Sequence, residues 1–244
     1  MRIPRIYHPE AISLGASIAL TDDAVQHVAR VLRLGESSPL VLFNGNGKDY
    51  AATIIRVDKR HVEVNITDAE TLNNESPVSI HLGQGISRGD RMDFALQKSV
   101  ELGVQQITPL FTERCGVKLS GERLAKKLRQ WQKIVISACE QCGRATIPTV
   151  NPPQSLAEFM ATEFNGLRLT LDPTAERQLI SYQQQAKAGV QLVIGPEGGL
   201  TDTEIADTQT QGFEPIRLGP RILRTETAAL AAITAIQYAF GDFA

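Results

Sequence analysis

Two segments in the C-terminal half repeat one local grammar, and it narrows the folds open to this chain more than any other feature. In the first, the apolar run LVI enters Gly195, Pro196, Glu197, Gly198 and Gly199, and Thr201 to Glu204 follow with the spacing of a capping box. A helix is therefore expected directly after the loop. In the second, IRL passes through Gly219 and Pro220 to Arg221, Arg224, Thr225, Glu226 and Thr227, then into the alanine-rich run TAALAAITAIQYAF. Strand, glycine-proline turn and helix, used twice, imply a parallel sheet with ligand-facing turns at the carboxyl ends of its strands. Glycines let the backbone itself approach a ligand. One such loop alone is equally well read as a tight turn needing glycine for geometry; the recurrence favours a cradle for a nucleotide-like group. Thr225 also has the composition of a helix N-cap.

The same alternation extends upstream. Strands are predicted over 78–82, 104–111, 167–171, 190–194 and 216–218, and helices over 91–102, 122–142, 201–211 and 227–240. Before residue 70 the pattern differs. LVLF, YAATIIRV and HVEVNIT are short alternating runs separated by an Asn-Gly pair and by Asp58 to Arg60, the mark of an antiparallel meander. One helix is suggested over 22–34. Three strands alone leave open edges, so closure into a small barrel is expected. The polar stretch ETLNNESP marks a boundary, giving a β domain over 1–72 and an α/β domain over 73–244.

With 42% hydrophobic and 21% charged residues, the chain has the composition of a globular protein rather than a disordered one. No apolar run has the length of a spanning helix, and MRIPRIYHPE lacks a signal-like apolar core, so a cytoplasmic location without membrane contact is expected. Cys115, Cys139 and Cys142 are an odd set and read as reduced thiols. The net charge of −2 hides an uneven distribution: residues 73–150 carry 11 basic against 7 acidic side chains. A local positive field suits a polyanion, although a solvated helix face explains it equally well. Candidate phosphate contacts are Arg2 and Arg5, Arg30 and Arg33 in HVARVLRL, and the basic helix ERLAKKLRQWQK. Glu140, Gln141 and Arg144 combine donors and acceptors suited to a base pocket or to a helix-end network.

Weaker motifs exclude more than they suggest. GQGISRG, residues 83–89, follows a strand but has Arg88 where a dinucleotide fingerprint needs glycine, and no P-loop occurs. Cys139 and Cys142 have a metal-site spacing without a second ligand pair, so packed helical cysteines are expected and no metal is assigned. His8, His27, His61 and His81 are scattered and receive no role.

On HVARVLRL, LGQGISRGDRMDFALQKSVELGV, ITPLFTERCGVKL, ACEQCGR, LVIGPEGG and LGPRILRTETAAL, the chain resembles the RsmE family of the SPOUT superfamily, the 16S ribosomal RNA uridine N3 methyltransferases. The resemblance covers nearly the whole chain and is loose between Asn151 and Gly189. It implies a PUA-like β-barrel RNA-binding domain preceding an α/β domain tied in a trefoil knot, S-adenosylmethionine as cofactor, and a homodimer acting on 16S rRNA within the small ribosomal subunit. It further implies a cofactor site of Leu171, Ile194, Gly195, Glu197, Gly198, Gly199, Leu218, Gly219, Leu223 and Thr225. With an RNA substrate, the candidate RNA contacts are Arg2, Arg5, Arg30, Arg33, Arg88, Glu140, Gln141 and Arg144.

Methylating uracil N3 demands an accessible base and removal of the N3 proton. Arg224 or Arg221 is expected to stabilise the developing anion, and Glu226 or Glu197 to orient the base or take the proton. A binding protein that assists ribosome assembly without catalysis is the alternative, with a nicotinamide enzyme far behind it.

Overall fold

The computed structural model describes residues 3–177, 179–182 and 185–243. The chain divides into two compact units. The first holds Met1–Glu75 with Cys139–Ile147, and the second Ser76–Ala138 with Pro148–Ala244. The return of Cys139–Ile147 to the first unit was not apparent from the sequence, where the segment reads as part of the α/β half.

The first unit is a five-stranded sheet in the order β1-β3-β4-β5-β2. Its strands are β1 (Arg5–Tyr7), β2 (Ser17–Ala19), β3 (Pro39–Phe43), β4 (Lys48–Val57) and β5 (Val62–Thr71). The three expected strands pair antiparallel as a meander, and β1 adds to β3 in parallel. Among the described residues β1 and β2 remain the edges and do not pair with each other, so the expected barrel closure is replaced by an open ladder. The alternation buries Leu40, Leu42, Ile54, Val64 and Ile66 on one face. The helix expected over 22–34 is shorter. Thr21 caps α1 (Asp22–Val25), which runs into a π-helix at Gln26–Val31, and Arg33 then adopts a φ of 53°.

The second unit carries the sheet β12-β10-β11-β6-β7-β8, with β9 joined to β7. Its strands are β6 (Ile80–Gly85), β7 (Gln106–Phe111), β8 (Thr149–Val150), β9 (Gln154–Ser155), β10 (Leu167–Leu171), β11 (Val190–Ile194) and β12 (Glu214–Ile216). All pairings are parallel. Every residue of β11 is buried, as a central strand covered on both faces requires. The helices are α2 (Asp90–Glu101), α3 (Gly121–Cys142), α4 (Leu156–Ala161), α5 (Asp202–Thr210) and α6 (Thr225–Phe240). The α5 capping box forms as the sequence implies: Thr201 Oγ1 accepts from the Glu204 N–H at 3.1 Å and Glu204 Oε2 from the Thr201 N–H at 2.9 Å. Several boundaries move. β6 begins two residues later than expected and extends to Gly85, β12 ends at Ile216 before Leu218, and α6 starts at Thr225. Arg224 is the N-cap of α6 and provides no side-chain cap bond, so Thr225 is the first helical residue rather than the cap.

Gly83 and Gly85 lie inside β6, not in a phosphate loop. A Cβ on Gly83 would meet the Phe159 ring at 2.7 Å, and one on Gly85 would meet the Pro196 nitrogen at 2.4 Å. The residues that mimic a dinucleotide motif are thus glycines because neighbours press on the strand. Cys139 is buried with its thiol pushed up to about 12, chiefly by burial, and all three cysteines are free thiols.

His81, on β6, packs edge-on to Phe159 with ring centroids 5.0 Å apart, and its Nε2 lies 2.8 Å from Thr108 Oγ1. Burial lowers its pKa to about 4. Between about pH 6.5 and pH 4 the unfolded chain takes up a proton that the folded chain refuses, so this contribution is fully present above pH 6.5 and lost as pH falls. The loss is expected to reach at most about 3 kcal/mol. Urea melts at pH 7 and pH 4.5 should show a smaller difference for His81→Gln than for the unsubstituted chain; an unchanged difference would assign the acid sensitivity elsewhere.

Candidate active site

The two glycine-proline loops meet at the carboxyl ends of β10, β11 and β12, where they enclose a cavity of about 530 Å³. That volume lies within the range of small-molecule and cofactor sites. All residues expected at a cofactor line it: Leu171 from the end of β10, Ile194, Gly195, Glu197, Gly198 and Gly199 from the first loop, and Leu218, Gly219, Leu223 and Thr225 from the second. Arg221, Arg224 and Glu226, the three candidates for chemistry, line the same cavity. Each element delivers its residues for a local reason. β11 ends in a buried apolar run, Gly199 takes a φ of 70° to re-enter α5, and Gly219 takes 73° to turn the chain back toward α6.

The first loop is closely wound. A Cβ on Gly195 would meet the Leu200 nitrogen at 2.9 Å, and one on Gly198 the Arg114 Cβ at 2.9 Å. Leu200 and Ile205 add apolar wall to Leu171, Ile194, Leu218 and Leu223. Such a surface accepts a flat ring against side chains while the glycines present bare backbone. Glu226 supplies a polar point inside it: its Oε2 is buried and makes no hydrogen bond. A buried carboxylate oxygen without a donor is costly unless something binds it.

Glu197 has the opposite situation. Its Oε1 accepts from the Arg88 N–H at 2.8 Å and from Arg91 Nη1 at 3.1 Å. Burial acts to raise its pKa, but the Arg88 and Glu197 N–H groups and the Arg91 guanidinium outweigh it and leave the carboxyl below the usual range. It is engaged in holding its loop. Arg91, Arg114, Asp172 and Arg217 also line the cavity and were not singled out from the sequence. Arg114 Nη1 reaches the Gly198 and Leu200 carbonyls at 3.3 and 3.2 Å. The motif ITPLFTERCGVKL held that arginine in view, but nothing local ties it to a loop 84 residues away. Arg217, Arg221 and Arg224 make no ion pair with any described residue.

The residues expected at RNA do not form one group. Arg2 lies outside the described residues. Arg30, Arg33, Arg88 and Gln141 are exposed. Arg5 is corrected: its side chain is 7% exposed, pairs with Asp49, lies 4.7 Å over the Phe43 ring and donates to the Arg144 carbonyl. Arg144 is likewise buried, with Nε 3.0 Å from Glu75 Oε1. Glu140 accepts the Tyr7 N–H at 3.0 Å, and burial pushes its carboxyl up. Arg5 and Arg144 are bonded to each other and each guanidinium is met by a carboxylate, Asp49 or Glu75, while Glu140 holds the Tyr7 backbone, so all three serve the packing of the first unit, as in the helix-end alternative.

A parallel sheet whose strand ends open onto a glycine-walled cavity, with exposed arginines that make no ion pair among the described residues and one buried carboxylate oxygen, has the form of an α/β protein with a ligand site at its strand ends. Residues 74–237 match the model of the RNA methyltransferase domain, and residues 20–67 that of the RNA methyltransferase PUA domain. The ribosomal RNA small subunit methyltransferase E of Buchnera aphidicola (Schizaphis graminum strain) is 40% identical, covering 99% of this chain and 98% of that protein. The protein of the same name from Bacillus subtilis is 29% identical over 94% and 93%. Among solved structures, a putative methyltransferase from Legionella pneumophila with bound SAM is 47% identical with a TM-score of 0.96, both chains covered completely. A ribosomal RNA small subunit methyltransferase E from Neisseria gonorrhoeae bound to S-adenosyl methionine gives 43% and 0.93, again over both full chains. The chain belongs to the ribosomal RNA small subunit methyltransferase E family of RNA methyltransferases.

Proposed function

We propose that this chain transfers a methyl group from S-adenosylmethionine to N3 of one uridine in 16S ribosomal RNA. The observation that carries the reading is the cavity itself: two glycine loops, apolar walls, and a Glu226 Oε2 and three arginines that have no partner among the described residues. Its residues fit the cofactor, since an adenine ring suits the leucine and isoleucine walls and the bare backbone of Gly195 to Gly199 admits close approach. When bound, S-adenosylmethionine supplies an electrophilic methyl group on a positively charged sulfur.

The chain's residues then have two tasks. One is to hold uracil with N3 toward the methyl and to stabilise the charge that gathers on its carbonyl oxygens. Arg224 is the better placed of the two arginines, because it immediately precedes Thr225, whose hydroxyl is bonded to the Gly195 carbonyl at 2.6 Å. Arg221 is separated from that anchor by Ile222, which is 86% exposed. The other task is to accept the N3 proton. Glu226 is free to do so, whereas Glu197 is occupied by Arg88 and Arg91.

The same reading makes residues 1–72 an RNA-binding domain and 73–244 a knotted SPOUT domain, active in the cytoplasm on the small ribosomal subunit. Arg30, Arg33 and Arg88 remain the exposed cations for RNA phosphates. It also makes the protein a homodimer. The inner face of α6 is taken by its own sheet and α2, while Tyr238 is 68% exposed on the outer face. Sedimentation at micromolar concentration would show a dimer, and a monomer would remove that part. Mass mapping of ribosomal RNA from cells lacking the protein should show one unmethylated uridine, restored by adding back protein and cofactor. An unaltered methylation map would overturn the function.

A further inference from the structure

Gln84 is the one glutamine of β6, lies between β11 and β7 in the sheet, and is fully buried. A polar amide at such a position costs stability unless its groups are bonded. Its Nε2 donates to the Gly85 carbonyl at 3.1 Å and to Thr225 Oγ1 at 2.9 Å, while its Oε1 is buried with no hydrogen bond. The Gly85 carbonyl can only accept, so it fixes which end of the amide is the NH2. Thr225 Oγ1 must then accept from Gln84, and its single hydrogen is directed to the Gly195 carbonyl 2.6 Å away. The result is a relay of two hydrogen bonds of one polarity, from the sheet core through the first turn of α6 to the first glycine loop.

From this geometry we infer that Gln84 is a positioning residue for the cofactor cavity: it sets the spacing between the loop at Gly195 and the segment Leu223 to Thr225. The inference rests on the reading of that cavity as the S-adenosylmethionine site. An apolar residue of similar length would fill the same core volume without an orphaned oxygen, so the amide works against stability where it stands and is explained by the bond it makes. Because Ile194 is the register partner of Gln84 in β11, the side chain emerges beside the residue that begins the loop. Loop and helix terminus are therefore held as one unit before any ligand arrives, which lowers the ordering cost of binding.

Calorimetry with S-adenosylhomocysteine tests this on the full chain. Gln84→Met, which keeps the length and removes the donors, is expected to melt no lower than the unsubstituted protein yet bind on the order of tenfold more weakly. Thr225→Val should weaken binding to a similar extent, Thr225→Ser should recover most of that loss, and the double variant Gln84→Met with Thr225→Val should be no weaker than the worse single one, because both remove the same connection. Additive losses, or unchanged affinity in Gln84→Met, would overturn the inference. Should Gln84→Met fail to fold, the contrast between Thr225→Ser and Thr225→Val still decides: equal affinities exclude the relay. Absence of binding by the unsubstituted protein would instead overturn the cofactor reading itself, and this inference with it.

Discussion

Replacing Arg224 by alanine is expected to slow methyl transfer on the order of 10²- to 10³-fold while changing cofactor affinity little. Losing one charged donor aimed at a developing oxyanion costs about that much when the donor is fixed and the site excludes water. The backbone of Arg224 is anchored through Thr225, whose hydroxyl is bonded to Gly195 and to Gln84, while its exposed side chain is left to close on the base. Its guanidinium has no carboxylate partner among the described residues, so its charge is available to a base. Single-turnover rates with saturating cofactor, alongside S-adenosylhomocysteine affinity, separate the two effects. Turnover near that of the unsubstituted protein would remove Arg224 from the mechanism. Glu226→Gln supplies the complementary readout. Without a proton acceptor, the residual rate should rise about tenfold per pH unit as uracil N3 ionises by itself; a profile unchanged from that of the unsubstituted protein would place the base elsewhere.

Gly85→Ala is the second large effect, expected to destabilise the α/β unit by about 3 kcal/mol and to abolish cofactor binding. The added methyl would lie 2.4 Å from the Pro196 nitrogen, 2.7 Å from its Cδ and 2.8 Å from the Gly195 carbonyl carbon. These are atoms of the cavity wall itself, and no rotamer change can relieve a contact with backbone. Gly89→Ala is a suitable comparison, since its Cβ would meet nothing within 4 Å and the substitution suffers only from a φ of 53°. Thermal melts should place Gly85→Ala roughly 5–10 °C below the unsubstituted protein. A shift of a degree or two would show that β6 and the first loop can part without loss.

The cavity was more legible than the fold around it. Gly195 to Gly199 and Leu218 to Thr225 are contiguous runs, and glycine, proline and capping residues act on their own backbone, so their meaning survives without knowing what surrounds them. The same is true of Thr201 and Glu204. The roles of Arg5, Arg144 and Glu140 are not decided by the sequence, for the complementary reason. A charged residue states what it offers, and only its neighbours decide whether the charge is spent: Asp49 is 44 residues from Arg5 and Glu75 is 69 from Arg144. The unclosed β ladder and the moved end of β12 belong to the same class, since strand propensity does not say which edge meets which.

What the amino-acid sequence by itself determined was local chemistry: a meander with Asn-Gly turns, an alternating α/β half, and two loops able to bring bare backbone to a ligand. Tertiary structure alone decided the strand order that brings both loops to one cavity, the engagement of Glu197 beside the free oxygen of Glu226, and the Gln84 bond to Thr225 across 141 residues. The physical reason is range. Turn and cap preferences act over three or four residues, whereas burial and hydrogen-bond satisfaction depend on partners that only the folded chain brings within 3 Å.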